Sequence, residues 1–258
     1  MTARSYTTPR FLLRGLLRKA GLEVSKYRPR GQEKFPEAIE QGFIDLYKKY
    51  HEFSMVKWPG LYTAYRAANY IKAHKIEGDI VECGVWKGGC TAILAEILKD
   101  EKAPRDFYLY DTYEGMSAPT EVDRSMSTNI SANKLYHQYD EQWSVGSLDT
   151  VKQVMGETGY EPRKLHYVKG KVEDTIPKTI PKKIALLRLD TDWYESTKHE
   201  LEHLYDLLVP GGVLIIDDYG SWAGSKKAVE EFFKDRPMPF MNYDAHTCNL
   251  SGVKVEEK

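Results

Sequence analysis

Cysteine is scarce in this chain, and several other features are missing altogether. Three cysteines among 258 residues are an odd number, which argues against a disulfide framework and favours a reducing compartment. No apolar run approaches the roughly 18 residues of a membrane span, and arginines interrupt the stretch that could form the apolar part of a secretory signal. We therefore expect a cytoplasmic protein.

The composition is that of a folded domain. Hydrophobic residues make up 41% and charged residues 29% of the chain, and the mean hydropathy is −0.54, so bulk disorder is not expected. A chain of 258 residues accommodates one large α/β domain, or such a domain with a small appendage.

The small net charge of −1 hides an uneven distribution. Residues 1–34 hold nine basic and two acidic side chains, a surplus of seven positive charges, so the remaining 224 residues carry a surplus of eight negative ones. Arg10, Arg14 and Arg18 are spaced four apart and fall on one face of a short amphipathic helix. We predict an N-terminal arm that contacts an anionic membrane surface or a partner through residues 10–30. A poorly ordered basic arm is the alternative.

From residue 35 to residue 258, which we predict to be one domain, short β-rich runs alternate with helical patterns. This alternation is typical of a parallel sheet covered by helices on both faces. The predicted strands are 79–83, 107–111, 165–168, 184–190 and 213–217, with weaker candidates near 239–243 and 252–256. The predicted helices are 36–50, 61–75, 89–99, 146–157, 194–208 and 224–234. Ligands of such sheets bind beyond the carboxyl ends of the strands, so the residues that end each strand are candidates for a site.

Two of these strand ends favour a nucleoside-bearing cofactor. The first strand runs into a glycine-rich turn, in which Gly84 allows close approach of a ligand to the backbone and Gly88 opens the next helix. The second strand ends at Asp111, whose carboxylate can accept hydrogen bonds from both hydroxyls of a ribose. The turn lacks the G-x-G-x-x-G spacing of dinucleotide sites. A glycine-rich turn without a ligand is the alternative.

Carboxylates follow the next two strands. Asp190 and Asp192 come after the fourth strand, and Asp217 and Asp218 after the fifth. One strand–helix–strand crossover separates the two pairs, so they are expected to be neighbours at the same edge of the sheet. Carboxylates that close raise one another's pKa unless a cation compensates them, and oxygen-only ligands favour a hard ion such as Mg²⁺. The alternative, acids that cap the following helices, suits Asp192 better than Asp217 and Asp218.

Four motifs, in this order, resemble the macrocin O-methyltransferase family over residues 40–245. They are Glu82-Cys-Gly-Val-Trp-Lys-Gly-Gly89, Tyr110-Asp-Thr-Tyr-Glu-Gly115, Leu189-Asp-Thr-Asp-Trp-Tyr-Glu-Ser-Thr197 and Pro210-Gly-Gly-Val-Leu-Ile-Ile-Asp-Asp-Tyr219. Members methylate sugar hydroxyls of macrolide and aminocoumarin natural products. The resemblance implies the three-layer, Rossmann-like α/β fold of S-adenosylmethionine-dependent methyltransferases, with a seven-stranded, mostly parallel sheet and an antiparallel last strand. It also implies S-adenosylmethionine as the methyl donor and a Mg²⁺ ion.

The resemblance assigns site residues position by position. The implied cofactor-binding residues are Met55, Glu82, Cys83, Gly84, Val85, Gly88, Asp111, Val172, Glu173 and Asp190. The implied metal ligands are Asp190, Asp217 and Asp218. Coordination to a divalent cation lowers the pKa of a sugar hydroxyl, and Asp190 is our candidate for the general base that removes the proton. Trp193 stands where related catechol-type enzymes carry a lysine base, and we expect it to stack with Tyr194 against a sugar or the cofactor.

The predicted function is methylation of a hydroxyl on a glycosylated small molecule or glycan precursor, and three other functions are weighed against it. The main alternative is a non-catalytic nucleotide-binding or scaffold protein that keeps the fold. His199-Glu-Leu-Glu-His203 satisfies the H-E-x-x-H pattern of zinc proteases, but helical spacing places both histidines opposite the apolar stripe. Tyr194-Glu-Ser-Thr-Lys198 matches the Tyr-x-x-x-Lys of short-chain dehydrogenases without their nucleotide turn.

The long, polar, aromatic-rich stretch 112–145 follows the second strand. A loop of this length in a compact domain is usually functional, so we predict a lid that shapes the acceptor pocket. An insertion that packs an oligomer interface is the alternative. We expect a homo-oligomer and no nucleic-acid partner. Contact of the basic arm with lipid would hold the protein at the inner face of the membrane.

Overall fold

The structure is a computed structural model and describes residues 31–138 and 143–256. The chain divides into two compact units, Met1–Glu37 and Ala38–Lys258. The predicted helix that carries Arg10, Arg14 and Arg18 lies outside the described residues, so the basic arm stays a prediction.

The helices of the second unit lie in two layers. Residues Gln41–Tyr50 (α1), Trp58–Ala73 (α2), Gly89–Leu98 (α3) and Leu148–Gly156 (α5) pack together on one face of the sheet. Residues Val172–Thr175 (α6), Tyr194–Leu204 (α7) and Ala223–Phe232 (α8) pack together on the other. A further short helix, Ala132–Gln138 (α4), belongs to the stretch after the second strand. Among the described residues, none of the helices is both long and apolar enough to cross a bilayer.

A seven-stranded sheet separates the two helical layers. Its strands are Asp79–Cys83 (β1), Phe107–Asp111 (β2), Leu165–Lys169 (β3), Ile184–Leu189 (β4), Leu208–Ile216 (β5), Met241–Asp244 (β6) and Asn249–Val253 (β7). They lie in the order β3-β2-β1-β4-β5-β7-β6. Strands β3, β2, β1, β4 and β5 are parallel neighbours, and β7 runs antiparallel to both β5 and β6. The predicted three-layer α/β fold with an antiparallel last strand is confirmed.

Burial explains why the central strands read as apolar runs. All six residues of β4 are buried, because helices cover both faces of a central parallel strand. Helix α3 is apolar on nearly every side and buries nine of its ten residues between the sheet and its neighbours. One core cluster joins Val81, Leu187 and Leu214 of the sheet to Leu201 and Val229 of the covering helices. This packing fixes the carboxyl ends of β1, β4 and β5 relative to one another.

The stretch 112–145 is attached to the carboxyl edge of the sheet by several polar contacts. Ser125 forms a β-bridge with Trp222, at the start of α8. The buried carboxylate of Asp123 accepts hydrogen bonds from the backbone and hydroxyl of Thr120, at 2.7 and 2.8 Å, and from the backbone N–H of Tyr194, at 2.8 Å. The stretch therefore packs against the first turns of α7 and α8. Its prediction as a lid stays a prediction.

Candidate functional site

A cleft of about 270 Å³ opens at the carboxyl edge of the sheet. The ends of β1, β2, β4 and β5 line it, together with α6 and the stretch 112–145. The predicted site residues on its wall are Met55, Gly84, Asp111, Val172, Glu173, Asp190, Asp217 and Asp218. Asp192, one of the four carboxylates expected at this edge, also lies on the wall, as do Trp86, Thr191 and Ser144, for which no role was predicted.

Four of the predicted cofactor-binding residues are not on this wall. They are Glu82, Cys83, Val85 and Gly88. Val85 acts on the wall through its backbone N–H, which donates to Asp111. Glu82 is 1% exposed and faces the layer of α2 and α3, where the hydroxyl of Thr91 donates to its Oε2. Any effect of Glu82 on a ligand is therefore indirect, through the side chains that it binds.

The turn after β1 requires glycine at position 84. Gly84 has a φ of +83°, a left-handed conformation that side chains rarely adopt. A β-carbon there would also overlap the backbone carbonyl of Asp190. The N–H of Gly84 donates to the carbonyl of Tyr110 at 2.9 Å, and the N–H of Asp190 donates to the carbonyl of Cys83 at 2.8 Å. The glycine turn and the acidic loop after β4 thus touch backbone to backbone.

The carboxylate of Asp111 already holds this turn in place. The N–H groups of Val85 and Trp86 each donate to its Oδ2 at 2.8 Å, and the N–H of Tyr113 donates to its Oδ1 at 2.7 Å. Burial raises the pKa of Asp111, and these three backbone hydrogen bonds oppose that rise. The hydroxyl of Thr112 is a fourth donor, 3.4 Å from Oδ1, so each oxygen of Asp111 has two donors and the Thr112 contact is the weakest of the four.

A buried arginine lies beneath the acids. Arg188 of β4 is 2% exposed, and its guanidinium lies 2.6 Å from Glu82 Oε1, 2.7 Å from Asp190 Oδ2 and 3.2 Å from Asp217 Oδ1. Glu82 and Arg188 are paired in register across β1 and β4, so their side chains share one face of the sheet. The sequence analysis missed this residue, although a charged residue inside an otherwise apolar strand is a visible signal.

A second group of acids faces the cleft. Carboxylate oxygens of Asp190, Asp192 and Asp218 all lie within 4.8 Å of one another. Asp217, which the resemblance implied as a ligand, instead lies against Arg188, and Asp192 takes its place in the group. Among the described residues, Oδ2 of Asp218 is buried without a hydrogen-bond partner. An all-oxygen group of this size suits a hard divalent cation.

Burial and mutual repulsion make these acids unusually basic. Burial raises the pKa of Asp190 and Asp218 well above the usual range, and neighbouring carboxylates raise both further. Asp192 has its pKa raised to about 7, chiefly by burial, while its hydrogen bond with Asp218 opposes the rise. Three carboxyl groups contact the guanidinium of Arg188 and two more lie beside Asp190, so one positive charge serves five acids.

Helix capping does not explain Asp192. It has a φ of +68°, and helix α7 begins after Trp193 without a side-chain cap. The N–H of Tyr194 in the first turn is bound instead by Asp123. The alternative that assigned Asp192 to capping is therefore wrong, because a residue distant in sequence serves that helix end.

Trp193 does not stack in the cleft. It is 2% exposed, donates from Nε1 to the carbonyl of Ser117 at 2.8 Å, and packs edge-to-face against Trp143 and Trp222. Tyr194 points elsewhere and donates to Glu231 at 2.7 Å. The expectation that this pair stacks on a sugar or the cofactor is wrong for both residues, since the stretch 112–145 covers the first and α8 engages the second.

The two histidines of the H-E-x-x-H pattern bind backbone carbonyls. His199 Nε2 donates to Ile176 at 3.0 Å, and His203 Nδ1 donates to His199 at 2.8 Å. The glutamate between them, Glu200, is fully buried. The pattern therefore does not form a zinc-protease site here.

A family model of the macrocin O-methyltransferases (TylF) matches residues 49–247. The chain belongs to this family. The mycinamicin III 3''-O-methyltransferase of Micromonospora griseorubida is 34% identical over 163 residues, covering 62% of this chain and 62% of the relative. The 8-demethyl-8-(2,3-dimethoxy-alpha-L-rhamnosyl)-tetracenomycin-C 4'-O-methyltransferase of Streptomyces olivaceus is 32% identical over 154 residues, covering 58% of this chain and 56% of the relative.

The solved structure of the O-methyltransferase NovP shows the same fold. It superposes with a TM-score of 0.69 at 24% identity, covering 79% of this chain and 83% of that one. The alignments to the two curated relatives span about three fifths of their length. Family membership and an S-adenosylmethionine-dependent O-methyltransferase fold are thus established for this chain.

Proposed function

We propose that this protein is an S-adenosylmethionine- and Mg²⁺-dependent O-methyltransferase that methylates a sugar hydroxyl on a natural product or glycan precursor. The observation that carries the proposal is the meeting of two sites in one cleft. The glycine turn at Gly84 and the acids Asp190, Asp192 and Asp218 line the same wall. The relatives, named as sugar O-methyltransferases, support the same acceptor class.

The donor fits the half of the cleft nearest β1 and β2. Gly84 exposes backbone at a point where no side chain fits, and a ribose hydroxyl would replace the long 3.4 Å contact of Thr112 with Asp111 Oδ1. Val172 and Glu173 line the same cleft for the adenine. Met55 is 52% exposed at the rim, where the hydroxyl of Ser144 lies 3.8 Å from its sulfur. These two residues can close over a bound donor.

The acids fit a divalent cation. Asp190, Asp192 and Asp218 would hold it, with Asp217 one position away, and the unpartnered Oδ2 of Asp218 is the clearest sign that the group is incomplete. When bound, Mg²⁺ would lower the pKa of an acceptor hydroxyl and neutralise part of the acidic charge. Arg188 holds one oxygen of Asp190, which fixes the direction of the other.

Asp190 is the proposed general base. It lies on the cleft wall between the donor half and the other acids, where its carboxylate can take the proton of an acceptor hydroxyl bound beside it. Orientation of the acceptor hydroxyl toward the donor methyl supplies a further part of the rate.

A non-catalytic protein that keeps the fold is the second candidate, and one experiment separates the two. Calorimetry with S-adenosylmethionine, with and without Mg²⁺, is followed by incubation of labelled donor with candidate glycosides and detection of the mass shift. We expect Asp218→Asn to keep donor binding and lose at least 100-fold in turnover, roughly the effect of removing one key electrostatic group. Donor binding without any turnover on a broad acceptor panel would favour the non-catalytic protein.

We also propose that residues 10–30 contact an anionic membrane surface. The surplus of positive charge in residues 1–34 supports this. The arm lies outside every motif of the site, so it affects where a cytoplasmic enzyme sits rather than what it catalyses.

A further inference from the structure

Helix α7 buries an acid that belongs to neither the proposed donor site nor the proposed cation site. Glu200 is 0% exposed and shares the sheet-facing side of the helix with Leu201 and Leu204. Burial raises the pKa of Glu200 well above its usual range. An apolar side chain would ordinarily fill such a position, because a buried polar group with incomplete partners is destabilising.

The contacts of Glu200 are few and specific. The hydroxyl of Thr191 donates to its Oε1 at 2.9 Å. The buried thiol of Cys83 belongs to one core cluster with Leu201 and Leu204 of α7 and interacts electrostatically with the Glu200 carboxyl. Its Oε2 is buried without a hydrogen-bond partner among residues 31–138 and 143–256. The carboxyl thus reaches two groups, one on each of two different chain segments.

Both segments belong to the cleft. Cys83 directly precedes Gly84, and its carbonyl accepts the N–H of Asp190. Thr191 stands between Asp190 and Asp192 and lines the cleft wall. Glu200 therefore touches, from behind, the donor turn and the acidic loop at the point where they meet.

We propose that Glu200 is a positioning residue that ties the glycine turn after β1 to the loop of Asp190 and Asp192, through Cys83 and Thr191. It accepts a hydrogen bond from Thr191. Glu200 does not line the cleft, but the residues that it orients do. This inference rests on the proposed function, since it gives Glu200 a part in shaping the donor and cation sites. The role resembles that of groups behind metal ligands, whose loss typically weakens metal affinity about 10- to 100-fold.

Stability separates this role from a purely structural one. Replacing a buried, incompletely paired polar group by an apolar one of similar size is often neutral or stabilising. For Glu200→Leu we therefore expect an unchanged or higher melting temperature, together with Mn²⁺ and donor affinities weaker by about tenfold. A residue that merely supported the helix would lose stability and affinity together.

The experiment uses the full chain and two binding readouts besides turnover. Mn²⁺ alone is titrated and followed by electron paramagnetic resonance, and S-adenosylmethionine binding is measured by calorimetry. Glu200→Gln, which keeps an acceptor for the Thr191 hydroxyl, should bind both within about threefold of the parent, since one retained hydrogen bond preserves most of the geometry. Glu202→Leu, on the exposed side of the same helix, is the matched control and should leave both affinities unchanged.

Thr191 provides an independent approach should Glu200→Leu fail to fold. Thr191→Val should weaken Mn²⁺ binding as Glu200→Leu does, Thr191→Ser should restore it, and the double variant should be no worse than either single one. Parent-like affinities in Glu200→Leu, or in Thr191→Val, would overturn the inference and leave the proposed function standing. A parent protein that binds neither Mn²⁺ nor the donor would overturn both.

Discussion

At the scale of single residues, the site is organised by which polar groups engage one another. Arg188 pairs with Glu82, Asp190 and Asp217, while carboxylate oxygens of Asp190, Asp192 and Asp218 lie within 4.8 Å of one another. Asp190 belongs to both sets. The adjacent acids Asp217 and Asp218 both line the cleft but have different partners, since Asp217 pairs with the buried arginine and Asp218 joins the other acids.

The acids themselves could be predicted from the sequence, but not this division. Strand ends and crossover topology place Asp190 and Asp217 at one edge. Which acids come together depends on the turn at Asp192, whose φ of +68° is uncommon for a residue other than glycine. It also depends on Arg188, because a guanidinium 2.7–3.2 Å from two carboxylates decides their orientation.

Gly84→Ala is predicted to destabilise the protein and abolish donor binding. The methyl group would force a side chain into a left-handed φ and overlap the carbonyl of Asp190. Together these effects should cost about 2–4 kcal/mol of unfolding free energy. Urea denaturation and calorimetry with S-adenosylmethionine measure the two effects.

A second glycine serves as the control for this substitution. Gly156, at the end of α5, has open space where a β-carbon would be added. Gly156→Ala should change the unfolding free energy by less than about 1 kcal/mol and leave donor binding intact. Equal effects of the two substitutions would contradict the account of the turn.

At the scale of helices and strands, the ends of each strand are set by hydrogen bonding to its neighbours, which the periodicity of the sequence reveals only in part. Strands β1 and β2 have the predicted bounds, since glycines flank the first and polar residues flank the second. Strand β5 begins at Leu208 rather than at 213, because Gly211 and Gly212 pair with Lys254 although Pro210 and the glycines suggest a loop. Strand β7 lies at Asn249–Val253 rather than 252–256. Pairing with β5 and β6 sets its position, rather than the β propensity of its own residues.

One ion-pair network joins α1 to α3 and gives the fold a defined pH dependence. Burial alone would raise the pKa of Glu96, but hydrogen bonds from Lys49, Lys99 and Tyr50 lower it to about 2. The contacts measure 2.6, 2.6 and 2.7 Å. Because the folded pKa lies below the usual 4.5, the stabilisation is fully present above pH 4.5 and is lost as the pH falls toward 2.

Glu96→Gln should therefore lower the unfolding free energy by about 1–3 kcal/mol at pH 7, and by progressively less between pH 4.5 and pH 2. Urea denaturation at pH 7, 5, 4 and 3 measures the difference from the parent. Glu52→Gln, at an exposed position of the same unit, should show no such trend. A Glu96→Gln difference that stayed constant across this range would contradict the assigned network.

At the scale of the whole molecule, the alternation of strands and helices and four short motifs sufficed to predict the fold. The shape of the acceptor side could not be predicted in the same way. It depends on the stretch 112–145, whose attachment through Asp123 and Trp143 joins residues far apart in sequence. An irregular segment held by such contacts has no hydrophobic periodicity, so the sequence pattern does not predict the shape of the acceptor pocket.

The uneven charge of the whole chain leads to a prediction about location. Replacing Arg10, Arg14 and Arg18 with glutamine removes three of the nine basic charges in residues 1–34. Each basic residue near an anionic surface contributes about 1 kcal/mol, so binding of the full chain to vesicles containing phosphatidylserine should weaken roughly 100-fold. Sedimentation with such vesicles measures the change, and vesicles of phosphatidylcholine alone should bind neither form. Turnover on a soluble acceptor should not change, because the site lies within residues 55–218; a loss there would assign the arm to the site instead.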